Sequence, residues 1–145
     1  TCIIRFPSIF GVNSGNSIVD IFIKLANKNK LIEVYSSGEK LRNLIHVSSA
    51  VQILYLVYKK KAKLSKHEVF MAGSKKELKI SHIANLIVRL TNSKSKILAV
   101  KKSPPSNFDV RINTTKVKKL LGYKPLSVYY ELKKYIAELE KQKNL

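Results

Sequence analysis

The chain has 145 residues, of which 45% are hydrophobic, and its 28 Lys and Arg against 9 Asp and Glu give a formal net charge of +19. This length and apolar content are typical of one folded domain with a core, and they exclude an intrinsically disordered chain. No apolar run approaches the roughly 20 residues that a membrane span needs, and the single cysteine, Cys2, excludes an intramolecular disulfide and a cysteine metal cluster.

The first part of the chain predicts a strand, a helix and a second strand. Residues 1–6 are a continuous apolar run with β-branched side chains, typical of a buried parallel strand, and Pro7 ends it. Ser17 is a predicted helix cap, and apolar residues recur at helical spacing to about Lys28. The predicted core face of this helix consists of Ile18, Ile21, Phe22, Leu25 and Ala26. A strand at 31–35 follows. Because the sequence opens inside a strand and without Met, we expect a fragment of a longer protein.

The next stretch centres on a single arginine between two apolar segments. Residues 36–38, Ser-Ser-Gly, supply turn chemistry, and Arg42 stands before the apolar segment that enters the next helix. A guanidinium on rigid elements among apolar neighbours suits bidentate capture of a phosphate or carboxylate, with an ordinary surface arginine as the alternative. The helix that begins at Val47 is apolar almost all round, so it is predicted to be buried, with Ser49 as its cap.

The second half of the chain continues the alternation of strands and helices. In chain order we predict a strand at 67–71, a helix from Ile80, a strand at 97–100, a loop at 103–107, a short helix after Thr114 and a last helix from Val128 to about Lys141. Thr114 is the predicted cap of the short helix, and Gly122 is its predicted C-terminal glycine.

The positive charge is spread along the sequence rather than gathered on one helical face. Residues 59–61, three lysines, end a predicted helix, where cations complement the helix dipole. We therefore interpret the charge mainly as a solvated surface, although a field of this sign also attracts nucleic acid and other polyanions. His46, His67 and His82 show no metal-ligand spacing and are predicted to be structural or solvent-facing. We expect no metal, no membrane contact and a reducing, cytoplasmic location.

Four segments, in order along the chain, carry a shared pattern. GEKLRNLIHVSSA, around Arg42, is similar to G-x-x-x-R-D-[FY]-[IV]-[HY]-V-x-D. The pattern L-R-x-x-N-V-Y-G is similar to IIRFPSIFG at 3–11, and x-V-Y-N-I-G-S is similar to EVFMAGS at 68–74. The pattern D-x-S-K-A-x-x-x-L-G-[WY]-x-P is similar to TTKVKKLLGYKP at 114–125. With these motifs the chain resembles the extended short-chain dehydrogenase/reductase family, the NAD-dependent nucleotide-sugar epimerases and dehydratases.

This resemblance implies an α/β fold, the C-terminal part of an extended Rossmann-type epimerase, with two parallel-sheet strands plus a small α/β substrate-binding lobe. Residues 1–145 would be the C-terminal substrate-binding portion, without the N-terminal dinucleotide-binding part. The strands at 1–6 and 67–71 would belong to the parent sheet. NAD or NADP would then be a cofactor of the full-length protein, and none would be held by this chain alone.

The resemblance also implies a site for a nucleoside diphosphate sugar. Arg42 would neutralise the diphosphate, Ser8 would replace the family's asparagine near the sugar and phosphates, and Glu33 and Tyr35 would line the base pocket. Tyr35 as an ordinary core residue is the alternative. Asn43 replaces the family's aspartate beside the arginine, so we expect a more loosely oriented guanidinium.

A second charged motif of the family, R-P-x-D, is lost in this chain. Its arginine and its acid correspond to Ser103 and Ser106. Arg111, or else Lys102, is therefore expected to supply the second positive charge at the diphosphate. A plain strand-edge cation is the alternative for Arg111.

Two motifs of hydride-transfer chemistry are missing from the 145 residues. None of the five glycines forms G-x-x-G-x-x-G, and the Tyr-x-x-x-Lys string at 55–59 lies in a predicted buried helix and in the wrong order. We therefore predict the substrate-recognition half of an NAD(P)-dependent nucleotide-sugar epimerase/dehydratase, similar to UDP-glucose 4-epimerase and inactive alone, without catalytic residues of its own. Its partners would be the sugar nucleotide, the missing domain and a second copy in a homodimer. The alternatives are a basic nucleic-acid or polyanion-binding module and a degenerate remnant.

Overall fold

The computed structural model describes residues 1–15, 17–102 and 108–143. The positions Ser103 and Ser106, and the predicted loop at 103–107, lie outside these ranges. The described residues form eight short strands and five α-helices. In chain order they are β1 (Cys2–Arg5), β2 (Ser8–Phe10), α1 (Ile18–Ala26), β3 (Ile32–Val34), β4 (Leu41–Arg42), β5 (Leu44–His46), α2 (Val47–Lys60), β6 (Glu68–Met71), β7 (Leu78–Lys79), α3 (Ile80–Leu90), β8 (Ile97–Ala99), α4 (Thr115–Leu121) and α5 (Val128–Lys143).

The strands of the described ranges pair two by two. β1 runs parallel to β6, in register from Cys2 beside Glu68 to Arg5 beside Met71. β2 pairs with β5 and β3 with β8, also in parallel, while β4 and β7 are antiparallel. The pair β1–β6 beside a lobe built from the remaining pairs confirms the predicted α/β fold with two parallel-sheet strands and a small α/β lobe.

Two hydrophobic clusters form the core and meet at β5. Leu44 belongs to the cluster that joins α1, α3 and α5 with β3, whereas Ile45 belongs to the cluster of β6, α2 and α4. Consecutive residues of a strand point to opposite faces, so β5 separates two packed layers. Each fully buried aliphatic side chain contributes about 1.5–3 kcal/mol to the free energy of unfolding.

Local sequence signals fix several helix ends. The Ser17 hydroxyl accepts the backbone N–H of Asp20 at 3.2 Å, and the Asp20 carboxylate accepts the N–H of Ser17 at 3.0 Å. This capping box satisfies two of the N–H groups that a helix start leaves without partners, and it confirms the predicted cap of α1. Gly122 ends α4 in the left-handed conformation, with φ of 69°.

One predicted cap is wrong, and a second, Thr114, is correct in position but makes no capping hydrogen bond. α2 begins directly after β5, so His46 is its cap, and its Nδ1 accepts a backbone N–H of the first turn at 3.4 Å. Ser49 is buried inside the helix instead. At α4 the Thr114 side chain makes no capping hydrogen bond, and Oδ1 of Asn113 accepts the N–H of Thr115 at 2.9 Å.

Two elements that were predicted to be buried are exposed. In β1, Ile3 keeps 49% of its surface accessible. In α2, five large apolar side chains form one exposed face, here named the α2 stripe: Val47, Val51, Leu54, Tyr55 and Tyr58. Apolar composition marks an interface as well as a core, so the burial prediction was wrong at both places. No helix in the described ranges, α2 included, is long and apolar enough to cross a membrane.

The few acidic side chains mostly tie two elements together. Asp20 of α1 accepts a hydrogen bond from the Tyr135 hydroxyl of α5 at 2.6 Å. Glu68 of β6 pairs with Lys116 of α4 at 2.5 Å. Other carboxylates that link separate segments belong to Glu39, Glu77, Asp109, Glu131 and Glu138.

Candidate functional site

A cavity of about 620 Å³, here named the Arg42 cavity, opens between α1, β3 and β4. Ser8 of β2, Arg42 of β4 and Ile80 of α3 complete its lining. Ligand cavities for small molecules typically measure about 300–1,000 Å³. The size of the Arg42 cavity is therefore suited to a small molecule.

β3 and its two flanking residues form one wall of the Arg42 cavity. Ile32 and Val34 are buried in the core, whereas Leu31, Glu33 and Tyr35 line the cavity. A strand alternates its side chains between two faces, so the sequence LIEVY presents an aliphatic, a carboxylate and an aromatic side chain in one row. This wall offers both an apolar surface and a hydrogen-bond acceptor.

α1 forms the opposite wall. Val19 and Ile23 are buried in the core, whereas Ile18, Ile21 and Leu25 line the cavity. Ile21 is exposed, so its assignment to the core face was wrong. Helical spacing identifies an apolar face, but it cannot tell whether protein or a ligand covers that face.

Asp20 holds the N-terminal end of α1 in place. Its buried carboxylate accepts hydrogen bonds from the hydroxyls of Ser14 at 2.7 Å, Ser17 at 2.7 Å and Tyr135 at 2.6 Å. Burial opposes ionisation of Asp20, but these hydrogen bonds outweigh it and lower its pKa below the usual value. Burial and the contact with Asp20 raise the pKa of Tyr135. The cavity wall is thus anchored to α5 through an ionised carboxylate.

The guanidinium of Arg42 is held by backbone carbonyl groups. Its Nη1 donates to the carbonyl oxygen of Leu41 at 3.0 Å and to that of Phe108 at 2.5 Å. Its Cζ lies 5.9 Å from the centre of the Phe108 ring, a cation–π distance. Arg42 and Ser8 line the same concavity, so the arginine and the Arg-Phe-Pro-Ser segment lie on one side of the lobe.

Asn43 contacts a different part of the molecule. Its buried Oδ1 accepts the backbone N–H of Ser74 at 2.9 Å and the Ser74 hydroxyl at 3.1 Å, and its Nδ2 lies 3.4 Å from Oε1 of Glu77. In this chain Asn43 therefore links β5 to the segment after β6. Arg42 donates to the backbone carbonyls of Leu41 and Phe108, and the expected looser orientation of its guanidinium stays a prediction.

A left-handed turn joins β3 to β4. Ser36, Ser37 and Gly38 have φ of 54°, 56° and 72°, and left-handed backbone costs a non-glycine residue roughly 1–2 kcal/mol. The N–H of Ser36 donates to the carbonyl of Lys102 at 3.0 Å, and the N–H of Ser37 donates to that of Val100 at 2.9 Å. Two backbone hydrogen bonds to the segment after β8 thus hold the turn that precedes the arginine.

The structure brings four of the six predicted binding residues together. Ser8, Glu33, Tyr35 and Arg42 all line the Arg42 cavity. Arg111 is 72% exposed and lies 3.9 Å from the Asp109 carboxylate. Neither Arg111 nor Lys102 is among the described residues of the cavity lining. Sequence reasoning missed Ser17 and the cavity-facing side of α1 as parts of the lining, and the apolar spacing of that helix was the available signal.

The described residues do not form a loop that fits a dinucleotide cofactor. The connection from β2 to α1 carries Gly11 and Gly15, four positions apart, rather than three glycines at three-residue intervals. A Cβ on Gly11 would lie 2.5 Å from Cγ1 of Val47, so this glycine is needed for packing against α2. Within the described ranges, no group of three His, Cys, Asp or Glu side chains is arranged to hold a metal ion.

Comparisons with known proteins agree with this architecture. The model of the NAD dependent epimerase/dehydratase family matches residues 1–73. UDP-N-acetyl-alpha-D-glucosaminuronate decarboxylase of Bacillus cytotoxicus is 29% identical over 133 residues, 85% of this chain and 40% of that protein. UDP-glucose 4-epimerase of Thermotoga maritima, solved with UDP-glucose, superposes with a TM-score of 0.82 at 18% identity, over 97% of this chain and 46% of that one. dTDP-glucose 4,6-dehydratase of Bacillus anthracis, solved with NAD, gives 0.76 at 19% identity, over 99% and 45%.

The two superpositions show a shared fold, and they extend over nearly all of this chain. The chain spans about two fifths of the length of the curated relative and less than half of each solved chain. These similar proteins are named for three different reactions on sugar nucleotides.

Proposed function

The chain belongs to the NAD-dependent epimerase/dehydratase family, and we propose from this that it is the substrate-recognition part of a nucleotide-sugar epimerase or dehydratase. The observation that carries the proposal is the meeting of Arg42, Ser8, Glu33 and Tyr35 in one cavity. Its substrate is a nucleoside diphosphate sugar, and its reaction is similar to that of a UDP-glucose 4-epimerase.

Each cavity residue has a chemical role in this proposal. Arg42 supplies a permanent positive charge in a planar fork, which suits a diphosphate. Ser8 offers a hydroxyl to the sugar or a phosphate, while Glu33 and the Tyr35 ring contact the base. Arg111 or Lys102 would supply a second positive charge to the diphosphate. These residues bind and orient the substrate, and no catalytic role is assigned to any of them.

The dinucleotide-binding part belongs, in this proposal, to a further segment that packs on β1 and the α2 stripe. Within the described ranges β1 pairs with β6 alone, so its other edge keeps unpaired backbone groups. The exposed side chains of Ile3 and Val69 and the α2 stripe are apolar surfaces that a neighbouring layer would bury. NAD or NADP would be held there, and the isolated chain is expected to show no turnover. Epimerase activity from the purified 145 residues would contradict this arrangement.

Calorimetric titration of the 145-residue chain with UDP-, dTDP-, GDP- and CDP-glucose tests the proposal. We expect saturable binding of one of them, and Arg42→Ala should weaken it roughly tenfold to hundredfold, because hydrogen bonds to charged groups contribute about 1.5–3 kcal/mol. Arg89→Ala is the matched control, since Arg89 is exposed on α3 and is not a lining residue of the Arg42 cavity.

The same titration, repeated with mixed-sequence RNA, separates the alternative functions. Unchanged affinity in Arg42→Ala would remove the role of the arginine. Salt-sensitive binding of mixed-sequence RNA without binding of any sugar nucleotide would favour a polyanion-binding module. Failure to bind either class would indicate a remnant without a ligand.

A further inference from the structure

We propose that Phe108 and Asp109 are positioning residues that hold the Arg42 guanidinium ready for its ligand. The inference rests on the proposed function, because it concerns the same cavity. It assigns to these two residues the orienting role that Asn43 does not fill in this chain.

The contact between Arg42 and Phe108 has two parts. The Phe108 carbonyl oxygen accepts from Nη1 at 2.5 Å, and the Phe108 ring lies beside the guanidinium, 5.9 Å from Cζ to the ring centre. Together with the bond to the Leu41 carbonyl at 3.0 Å, they restrain the plane of the guanidinium. Phe108 is 61% exposed, so its contact with the arginine does not result from burial in the core.

Phe108 is held there by its neighbours in the 108–112 segment. Oδ1 of Asp109 accepts the backbone N–H of Leu41 at 3.0 Å, and the N–H of Val110 donates to the Leu41 carbonyl at 3.0 Å. Further along, the N–H of Ile112 donates to Oε1 of Glu77 at 2.8 Å. The 108–112 segment is thus hydrogen-bonded to both backbone groups of Leu41, the β4 residue that precedes Arg42.

This arrangement favours binding because a free arginine side chain loses much rotamer freedom when a ligand fixes it. A guanidinium that is already oriented loses less, so more of the interaction with a diphosphate appears as affinity. Loosening the 108–112 segment should therefore weaken binding only while Arg42 is present. A segment that merely covered Arg42 would have the opposite effect.

The test is a double-mutant cycle with Asp109→Ala and Arg42→Ala in the 145-residue chain. The probe is the diphosphate, among UDP, dTDP, GDP and CDP, that binds the unmodified chain most tightly. Asp109→Ala should weaken binding about threefold to tenfold, in line with the loss of one hydrogen bond of about 0.5–1.5 kcal/mol. In the Arg42→Ala background it should produce no further loss. Asp109→Asn keeps an acceptor for the Leu41 N–H and should restore most of the affinity, while circular dichroism checks that each variant is folded.

Four results would overturn the inference and leave the proposed function standing. They are unchanged binding in Asp109→Ala, tighter binding in Asp109→Ala, an equal loss in the presence and absence of Arg42, and a full loss in Asp109→Asn. Asp109→Asn removes the charge of Asp109 and its ion pair with Arg111 but keeps the acceptor for the Leu41 N–H, so if it reproduced the Asp109→Ala loss, charge rather than positioning would explain the effect. If Arg42→Ala itself bound as well as the unmodified chain, the proposed function and this inference would fall together.

Discussion

Glu131 is a fully buried carboxylate, with 0% of its surface accessible. Its Oε2 accepts the N–H of His46 at 3.2 Å and the Ser49 hydroxyl at 3.0 Å, and Oε1 has no hydrogen-bond partner among the described residues. Burial raises the pKa of Glu131, and the bonds from Ser49 and His46 compensate only in part. The folded chain therefore takes up a proton on Glu131 more readily than the unfolded chain does.

Burial of a charged carboxylate destabilises the folded chain, and a glutamine at this position carries no charge. Glu131→Gln should therefore raise the free energy of unfolding at pH 7, and this gain should decrease as the pH falls. Between the raised pKa of Glu131 and its ordinary value of 4.5, the folded state binds more protons than the unfolded state, so the unmodified chain gains stability on acidification. Each pKa unit corresponds to about 1.4 kcal/mol. Urea unfolding of both proteins at pH 7, 6 and 5 measures the difference in the free energy of unfolding. The pKa of buried His46 is lowered in the folded chain, and we expect this to affect both proteins alike. Glu140→Gln, on the exposed face of α5, is the control. A difference that did not change with pH would contradict the expectation.

At the scale of single residues, the motif around Arg42 was informative and distant partners were not. Ser8, Glu33, Tyr35 and Arg42 were chosen from sequence segments, and the fold places them around one cavity. Phe108 lies 66 positions beyond Arg42, and nothing in its local sequence indicated a contact with the arginine. Every residue has a backbone carbonyl, and only the fold determines which donor that carbonyl contacts.

α2 shows how an element can be assigned correctly and placed wrongly. Its start, length and helical state follow from the apolar run after His46, but only Ser49, Ala50 and Ile53 are buried. Leu56 and Val57 are partly buried against the core, whereas the side chains of the α2 stripe face outward because no element within the described ranges covers them. By contrast, β4 and β7 have two residues each and are too short to show any periodicity. They form only because the fold brings the two segments together as an antiparallel pair.

Neighbouring residues of α2 should respond very differently to truncation. Ile53 is 0% exposed and Leu54 is 51% exposed. Ile53→Ala leaves a cavity in the core and should lower the free energy of unfolding by about 2–5 kcal/mol, whereas Leu54→Ala should change it by less than about 0.5 kcal/mol. Guanidinium unfolding followed by circular dichroism measures both. Equal losses would mean that the outer face of α2 is covered in solution.

For the molecule as a whole, the unpaired edge of β1 and the α2 stripe predict self-association. Both are surfaces that water solvates poorly, and a second copy covers them when no other segment does. The double substitution Val51→Lys and Tyr58→Lys should shift the chain from larger species to monomer in sedimentation velocity runs at 0.15 M salt. Leu120→Lys with Leu126→Lys, which changes two exposed residues outside the stripe, is the control. Identical sedimentation of the native and stripe variants would exclude this surface.

Only four acidic residues of the described ranges, Glu33, Glu39, Asp109 and Glu140, are exposed, so positive charge dominates the outside of the molecule. With a net charge of +19, the fold resembles a compact polyelectrolyte whose like charges repel one another across its own width. Dissolved salt shortens the reach of that repulsion to about 8 Å at 0.15 M ionic strength, while the buried carboxylate links between elements are screened much less. The chain should therefore be most compact and most resistant to heat in concentrated salt, and dilution of its counter-ions should loosen it.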